Sequence, residues 1–232
     1  MARAMDSIAL ISGGKDSTYA LDWALKNGFS VKNLVMVIAE NEESYMYHIT
    51  TKEIADLISY AIGIPLVSVF VSKKDDELEP LKKKLCSLSP RYIISGAVRS
   101  NYQKKRIDKI CREIHAKHIA PLWHCKPLAH LKNLIANHYE IIITSVSAEG
   151  FDSSWLGRKI DEKCIKELIE LNKKYNINID GEGGEYETLV LYAPFFKKRI
   201  VIGEYEKIWH RDSGRIKIKK CSLEQNFIYA LR

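Results

Sequence analysis

The feature that most constrains this chain is a glycine turn between a strand pattern and a helix pattern near its N-terminus. Residues 8–11 (Ile-Ala-Leu-Ile) are apolar and β-prone, residues 12–17 are Ser-Gly-Gly-Lys-Asp-Ser, and apolar residues at helical spacing follow. A strand, a glycine turn and a helix in this order direct backbone N–H groups and the positive end of the helix dipole at an anion. The sequence therefore predicts a phosphate-binding loop at residues 12–17.

Strand and helix patterns alternate through the first half of the chain. Further strand patterns lie at residues 34–39, 66–71 and 92–95, separated by helical patterns at residues 51–61, 76–87 and 103–115. Such alternation is typical of a parallel sheet with helices on both faces, whose ligands bind beyond the carboxyl ends of the strands. We therefore expect an α/β domain in which the loops after the first, second and fourth strands (residues 12–17, 40–48 and 96–106) meet at one edge.

The second half of the chain has a different pattern. A strand is predicted at residues 140–145, a helix at residues 162–175 and a β-rich tail through residue 220. Prolines at positions 121 and 127 bracket a boundary near residue 128. We expect a phosphate-binding domain at residues 1–128 and a smaller α+β substrate-binding domain at residues 129–232.

Composition is that of an ordinary globular protein, with 46% hydrophobic and 28% charged residues. No apolar run is long enough to span a membrane, and the first residues are not typical of a secretory signal, so we expect a cytoplasmic protein. The five cysteines form no CxxC pair, which argues against structural zinc and against a disulfide framework. A net charge of +7 is compatible with an acidic partner, although an ordinary lysine-rich surface explains it as well.

The glycine turn is not one of the common nucleotide-binding loops. A Walker A loop needs a glycine five residues before its Gly-Lys pair, and that position is Ala9. Ser12 and Ser17 supply hydroxyl groups and Lys15 a cation, while Asp16 is expected to hold Mg²⁺ or to cap the helix. The alternative is a helix N-cap formed by Ser12 or Asp16, without any ligand.

The hexapeptide Ser-Gly-Gly-Lys-Asp-Ser resembles the PP-loop of the N-type ATP pyrophosphatases, which have a Rossmann-like sheet of the adenine nucleotide alpha hydrolase (HUP) type. The resemblance implies a loop that holds the β,γ-pyrophosphate of ATP. Those enzymes release pyrophosphate and adenylate a carbonyl or carboxylate oxygen, and a nitrogen or sulfur nucleophile then displaces AMP.

Four further motifs resemble the diphthine–ammonia ligase family. They are SGAVRSNYQKKR at residues 95–106, APLW at residues 120–123, GFDSSWLGR at residues 150–158 and GEGGEYETLV at residues 181–190. The resemblance covers the chain to about residue 195 and corresponds to the short, archaeal-type form. It implies ATP-dependent amidation of diphthine on translation elongation factor 2, with ATP and Mg²⁺ as cofactors, ammonium as nitrogen donor, and AMP and pyrophosphate as products.

Several sequence features agree with that chemistry. No N-terminal cysteine nucleophile or glutaminase domain is present, so free ammonium is the simpler nitrogen source. Paired catalytic cysteines of the kind that sulfur transfer needs are also absent. We expect no stable nucleic-acid partner and no membrane partner, and the sequence leaves the oligomeric state open, a homo-oligomer included.

The candidate nucleotide-binding residues come from the PP-loop and from the segment after the fourth strand. They are Ser12, Gly13, Gly14, Lys15, Asp16, Ser17, Gly96, Tyr102, Gln103 and Arg106. Arginine clamps phosphates with two parallel hydrogen bonds, and glycine allows close backbone approach. For Tyr102, Gln103 and Arg106 a solvated helix start is an equally good interpretation.

Catalysis is assigned to Lys15 and Asp16 of the loop and to three carboxylates of the second domain, Glu182, Glu185 and Glu187. The three glutamates are expected to bind Mg²⁺ or ammonium, or to remove a proton from ammonium. The alternative is a glycine turn with exposed acidic residues.

The candidate acceptor-binding residues are Met46, His48, Trp155, Leu156, Gly157, Arg158, Gly183, Gly184 and Thr188. Trp155 is expected to stack on the modified imidazole or on its trimethylammonium group, since aromatic faces attract cations. Packing of Trp155 at a domain interface is the alternative, and a structural role is the alternative for His48.

Two rival functions remain open from the sequence. The first is a tRNA-modifying PP-loop pyrophosphatase that adenylates a base carbonyl and grips RNA with its basic surface. The second is a nucleotide-binding sensor without catalytic turnover.

Overall fold

The structure is a computed structural model that describes residues 5–39, 52–71 and 78–225. The chain separates into two compact units, Met1–His124 and Cys125–Arg232, which we call the N-terminal and C-terminal units. The predicted domain boundary near residue 128 stays a prediction.

The N-terminal unit is built on a five-stranded, wholly parallel sheet. Its strands are β1 (Met5–Leu10), β2 (Phe29–Ala39), β3 (Leu66–Val71), β4 (Tyr92–Ile94) and β5 (Lys117–Ile119), in the order β3-β2-β1-β4-β5. Helices α1 (Lys15–Lys26), α2 (Lys52–Ile62), α3 (Leu78–Leu88) and α4 (Asn101–Glu113) connect them. The predicted α/β class with a parallel Rossmann-like sheet is confirmed.

Apolar faces of α3 and α4 form a core with one face of the sheet. Leu81 and Leu85 of α3 and Ile107 and Ile110 of α4 pack with the strand residue Ile93, and all five side chains are buried. The three- and four-residue spacings of these positions place them on one face of each helix. Burial of this face fixes α4 on the sheet, and α4 carries several of the candidate nucleotide-binding residues.

Two strands of this sheet differ from the sequence prediction. Strand β2 begins at Phe29 rather than at residue 34, and the Phe29 ring lies 5.3 Å from the ring of Tyr92 on β4 in an edge-on contact. Strand β5 has three residues and was not predicted, because a segment of that length is too short for a hydrophobic period to be recognised.

The C-terminal unit contains a four-stranded antiparallel sheet in the order β7-β6-β9-β8. Its strands are β6 (Glu140–Val146), β7 (Tyr186–Tyr192), β8 (Lys198–His210) and β9 (Ser213–Gln225), and its helices are α5 (Pro127–Ala136), α6 (Glu162–Tyr175) and a short 3-10 helix (Ser153–Trp155). The predicted smaller α+β unit is confirmed. Helix α5 and the separation of β8 from β9 were not predicted.

Helix α6 has the bounds that the sequence predicted, and its ends explain why. Asp161 is the N-cap residue, and its carboxylate accepts a 2.7 Å hydrogen bond from the backbone N–H of Cys164. Asn176 ends the helix in the left-handed conformation, with φ of 56°. Both residue types are favoured at these positions.

No helix in the part of the chain that the structure describes is long and apolar enough to cross a membrane.

Replacement of the α6 cap should destabilise the C-terminal unit. Asp161→Ala removes the hydrogen bond to the Cys164 N–H, and we expect the free energy of unfolding to fall by about 1 kcal/mol in urea denaturation. Asp161→Asn is the matched control, because an asparagine oxygen accepts the same bond. Equal stability of Asp161→Ala and the wild type would contradict the capping role.

Candidate functional site

The strand order of the N-terminal unit defines the position of the candidate site. Strands β1 and β4 are neighbours in the sheet. The chain passes from β1 to β2, toward one edge of the sheet, and from β4 to β5, toward the other edge. A ligand crevice forms in such a sheet beyond the carboxyl ends of the two strands, where the strand order reverses. Residues 12–17 follow β1 and residues 95–100 follow β4, so both predicted loops lie at this crevice.

The loop after β1 is held by serine hydroxyl groups. The Ser17 hydroxyl donates to the Gly14 carbonyl oxygen at 3.1 Å and accepts from the Ser12 N–H at 3.1 Å. The Ser12 hydroxyl oxygen in turn accepts from the Gly14 N–H at 3.3 Å. Gly13 between them has a positive φ of 82°, which favours glycine. In the structure the two serines therefore bond to the loop itself.

Helix α1 begins at this loop without a side-chain cap. Gly14 is the N-cap residue and makes no side-chain hydrogen bond, so the alternative interpretation of Ser12 or Asp16 as the N-cap is wrong. Asp16 lies inside the first turn. A helix that starts in glycine presents its first backbone N–H groups and its dipole to a ligand, which is the geometry of an anion site.

Lys15 and Asp16 form an ion pair inside the first turn of α1. The Lys15 Nζ atom lies 2.8 Å from the Asp16 Oδ2 atom, and the side chains are 5% and 22% exposed. The two charges offset each other locally. A Mg²⁺ ion at Asp16 would therefore compete with the Lys15 ammonium for this carboxylate.

Gly96, the first glycine after β4, lies against the backbone of α1. A Cβ atom at this position would be 2.5 Å from the Ser17 nitrogen and 2.6 Å from the Asp16 carbonyl carbon. The sequence interpretation placed close backbone approach to the nucleotide here, whereas the structure shows close approach between the two loops. Only glycine allows this spacing.

The first turns of α4 carry the other candidate nucleotide-binding residues. Ser100 caps the helix by accepting a hydrogen bond from the Gln103 N–H. The Arg106 guanidinium lies over the Tyr102 ring, 4.9 Å from its centroid, and donates to the Tyr102 hydroxyl. Tyr102 is 61% exposed, so this pair forms a stacked, solvent-facing surface at the start of α4.

A buried hydrogen-bonded chain beneath α4 was not predicted. The Ser95 hydroxyl lies 2.7 Å from His118 Nε2, and His118 Nδ1 lies 2.6 Å from Asp108 Oδ1. Lys104 Nζ donates to Asp108 Oδ2 at 2.7 Å. The members come from the loop after β4, from α4 and from β5 and are separated by up to 23 residues along the chain, so no local sequence pattern marks them.

The pKa values of His118 and Asp108 in this hydrogen-bonded chain depend on burial and on hydrogen bonds. Burial is the largest influence on His118 and lowers the pKa of its imidazole below 6.5, although Asp108 acts in the opposite direction. Burial raises the pKa of Asp108, but hydrogen bonds from Lys104 and His118 outweigh it and leave that pKa below its ordinary value. At neutral pH the imidazole is therefore neutral and the carboxylate is charged.

In the C-terminal unit, Glu185 closes the glycine-rich loop on itself. Its Oε1 atom accepts from the Asn178 N–H at 2.8 Å and from Asn178 Nδ2 at 2.6 Å, and its Oε2 atom accepts from the Gly183 N–H at 2.8 Å. A Cβ at Gly183 would lie 2.7 Å from Glu185 Oε1. The structure thus gives Glu185 a structural role, and its proposed catalytic role stays a prediction.

Other predicted residues of this segment make different contacts. Glu187 and Thr188 lie on β7, opposite Ser145 and Ile143 of β6, and the Gly184 carbonyl oxygen accepts a 2.6 Å hydrogen bond from the Ser147 hydroxyl. Glu182 lies half-buried in the loop. Among residues 5–39, 52–71 and 78–225, no group of three histidine, cysteine or acidic side chains is arranged to hold a metal ion.

Trp155 and Leu156 are core residues of the C-terminal unit. Trp155 is 5% exposed and packs edge-on against the Phe151 ring at 4.9 Å. The Arg158 guanidinium lies 4.5 Å from the Trp155 ring centroid and pairs with Glu167 at 2.6 Å. The protein's own arginine therefore lies over the Trp155 ring, and stacking of this ring on the modified imidazole stays a prediction.

Gly157 borders a cavity in the described part of the C-terminal unit. The cavity has a volume of about 440 Å³ and is also lined by Glu140, Arg199 and Tyr205. A Cβ at Gly157 would contact the Tyr205 hydroxyl group. Met46 and His48, the two acceptor residues predicted after β2, lie outside the described residues.

Two buried cysteines are unsuited to nucleophilic chemistry. Burial raises the pKa of the Cys111 thiol to about 12 and that of the Cys164 thiol to about 11. The reactive form of cysteine is the thiolate, so both side chains are protonated and inert at neutral pH.

Comparison with known proteins adds a family to this geometry. A family model described as the diphthamide synthase N-terminal domain matches residues 5–118, and one described as the diphthamide synthase C-terminal domain matches residues 126–223. Curated relatives described as diphthine–ammonia ligase are 33% identical in Rattus norvegicus, over 87% of this chain and 84% of that protein, and 32% identical in Danio rerio, over 90% and 91%.

A solved structure is also similar in part. It is described as a predicted subunit of tRNA methyltransferase from Methanocaldococcus jannaschii, with 15% identity and a TM-score of 0.42 over 82% of this chain and 98% of that one. A likeness at this level says nothing about function.

Gly96→Ala should strain the contact between the two loops. The new methyl group would meet backbone atoms of α1 that cannot rotate away, so we expect a loss of about 1–3 kcal/mol in the free energy of unfolding. Urea denaturation measures this loss. Gly203→Ala is the control, because a Cβ there meets its nearest atom at 3.6 Å, and equal effects of the two substitutions would contradict close approach at Gly96.

Glu185→Gln should loosen the glycine-rich loop. An amide nitrogen in place of one carboxylate oxygen faces the N–H of Asn178 or of Gly183, so at least one hydrogen bond is lost. We expect about tenfold faster hydrogen exchange at these two amides, which corresponds to about 1.4 kcal/mol. Glu170→Gln on α6 is the control, and unchanged exchange in Glu185→Gln would show that the loop does not depend on the carboxylate.

Proposed function

Because the chain belongs to the diphthamide synthase family, we propose that it is an ATP-dependent ligase that amidates diphthine on translation elongation factor 2 with ammonium. The carboxylate of diphthine would first be adenylated, with release of pyrophosphate, and ammonia would then displace AMP to give the amide of diphthamide. The two family matches and the identity to curated diphthine–ammonia ligases support this reaction over the tRNA-modifying and sensor alternatives.

The observation that carries the proposal is the glycine-started N-terminus of α1 directly after the central strand β1. Gly14 contributes no side chain to the helix cap, so no N-cap side chain occupies the positively polarised N-terminus of α1. This arrangement suits the terminal phosphates of ATP. Cleavage between the α- and β-phosphates follows in our proposal, because the loop holds the pyrophosphate and leaves the α-phosphorus open to the diphthine carboxylate.

The charged residues of the loop have complementary roles in this proposal. Lys15, freed from Asp16 by a bound phosphate, would neutralise charge that develops on the leaving pyrophosphate. Asp16 would then be available to a Mg²⁺ ion that arrives with ATP. Mg²⁺ in such sites is held by one or two carboxylates together with substrate phosphates and water, which agrees with a single acidic residue at the loop.

The start of α4 is proposed to complete the nucleotide site. Arg106 carries an always-charged fork of donors, held over the exposed Tyr102 ring, and the helix itself begins at Ser100 beside the crevice. These residues are suited to contact phosphate oxygens or the adenylated carboxylate. In the C-terminal unit we assign acceptor binding to Gly157, Arg158 and the loop closed by Glu185, since Trp155 is buried.

The products and the modified factor test the proposal together. The protein is incubated with diphthine-bearing elongation factor 2, ATP, Mg²⁺ and ammonium. We expect AMP and pyrophosphate in equal amounts, and an intact mass of the factor that shows conversion of one carboxylate to an amide only when ammonium is present. ADP and orthophosphate as products, or an unmodified factor, would refute the proposal.

Within α1, two lysines provide a matched pair for this assay. Lys15→Met should reduce kcat/KM by at least about a hundredfold, because an interaction with the leaving pyrophosphate is removed. Lys26→Met removes an ion pair of the same 2.8 Å length with Asp22 at the far end of the same helix and should leave turnover near the wild-type value. Similar activities for the two variants would exclude Lys15 from the reaction.

A further inference from the structure

The loop between β4 and α4, residues 95–100, is attached to its surroundings at three points. The Ser95 hydroxyl bonds to His118 on β5, the Val98 carbonyl oxygen accepts a 2.8 Å hydrogen bond from the His124 N–H, and Ser100 caps α4. Gly96 lies between the first two attachments, against α1. The conformation of this loop therefore sets where Gly96 and the start of α4 stand at the crevice.

Hydrogen positions in the buried chain follow from the charge states of its members. Asp108 is a carboxylate, so it accepts from His118 Nδ1–H and from the Lys104 ammonium. A neutral imidazole with its hydrogen on Nδ1 has a bare Nε2, which accepts the hydrogen of the Ser95 hydroxyl. The hydrogen bonds from Ser95 through His118 to Asp108 thus run in one direction, and Lys104 donates to Asp108 from the other end.

A second series of contacts links Lys104, at one end of the hydrogen-bonded chain, to the backbone of the β4–α4 loop. The Lys104 ammonium lies 5.3 Å from the centroid of the Trp123 ring, and the Trp123 ring lies 4.7 Å from the ring of His124. The backbone of His124 holds Val98. Trp123 is the last residue of the APLW motif, so this motif contributes packing contacts to the residues that hold the β4–α4 loop.

We propose that His118 is a positioning residue, which holds the β4–α4 loop and the first turns of α4 in the conformation that binds the nucleotide. The inference rests on the proposed function, because it assumes that ATP occupies the crevice between β1 and β4. His118 acts through Ser95 on the loop and through Asp108 on α4, and it is itself buried beneath the helix. Ser95 is 6% exposed, so it too supports the loop from below and does not meet the substrate.

The first test separates nucleotide binding from the chemical step. Ser95→Ala removes the attachment to the loop, and His118→Phe removes both attachments while keeping a ring of similar size in the core. We expect each to raise KM for ATP about fivefold to tenfold, the effect of one lost hydrogen bond, with kcat within about twofold of the wild type. Lys117→Gln, at the exposed neighbour of His118 on β5, is the control and should change neither constant.

The pH dependence of ATP binding gives a second readout. Protonation makes His118 Nε2 a donor and forces Ser95 to turn its hydrogen away from the ring. Burial lowers the pKa of His118 below its ordinary value of 6.5. The charged groups that face it are Asp108 and Lys104 of α4, and the neutral hydroxyl of Ser95 faces it from the β4–α4 loop. Acidification from neutral pH through this lowered pKa should therefore weaken ATP binding more in the wild type than in His118→Phe, because the titration of ATP itself is the same for both proteins.

Different results would refute the positioning role of His118 and the proposed function. A wild type that neither binds ATP nor releases pyrophosphate would refute the proposed function. A wild type that does both, with an unchanged KM for ATP in Ser95→Ala, would overturn the positioning role even if His118→Phe fails to fold. Loss of kcat alone, or identical pH profiles of wild type and His118→Phe, would overturn it as well.

Discussion

The contact between Gly96 and the first turn of α1 is the constraint on which the rest of the N-terminal unit depends. A Cβ at position 96 would lie 2.5 Å from the Ser17 nitrogen, so the two loops approach to a distance that no other residue permits. This spacing brings the glycine-started end of α1 beside the loop that leads into α4. The N-terminus of α1 and the Tyr102–Arg106 pair of α4 are thereby placed at the same crevice.

The positively charged side chains Lys15 and Arg106 at this crevice already have partners within the protein. Lys15 is buried against Asp16, and Arg106 is held over Tyr102, so each cation already has an interaction in the structure. An arriving polyphosphate must offer more than these interactions do, and helix N–H groups add to the attraction without any rearrangement. Binding of an anion would also release the Asp16 carboxylate, which couples occupancy of the loop to a site for a divalent cation.

Much of the fold could be predicted from the sequence, but the supporting contacts of the site could not. Alternating strand and helix patterns predicted the parallel sheet, and the helical pattern at residues 162–175 predicted the bounds of α6. Strand β5 was missed because three residues show no period, although it carries His118. The chain from Ser95 to Asp108 depends on which strands are neighbours, and this information lies in the tertiary structure rather than in any local motif.

The glycine-rich loop of the C-terminal unit shows why a specific motif does not by itself identify the reacting group. Three closely spaced glutamates suggested shared chemistry, yet the structure turns the Glu185 carboxylate back onto Asn178 and Gly183. The strand boundary explains part of this difference, since Glu185 lies in the loop before β7 whereas Glu187 is the second residue of that strand. Selection for a closed loop and selection for catalysis would favour the same residue at position 185. Measurements that follow loop order and turnover separately distinguish the structural from the catalytic role of Glu185. A variant that opens the loop would reduce activity whether or not the carboxylate contacts the substrate.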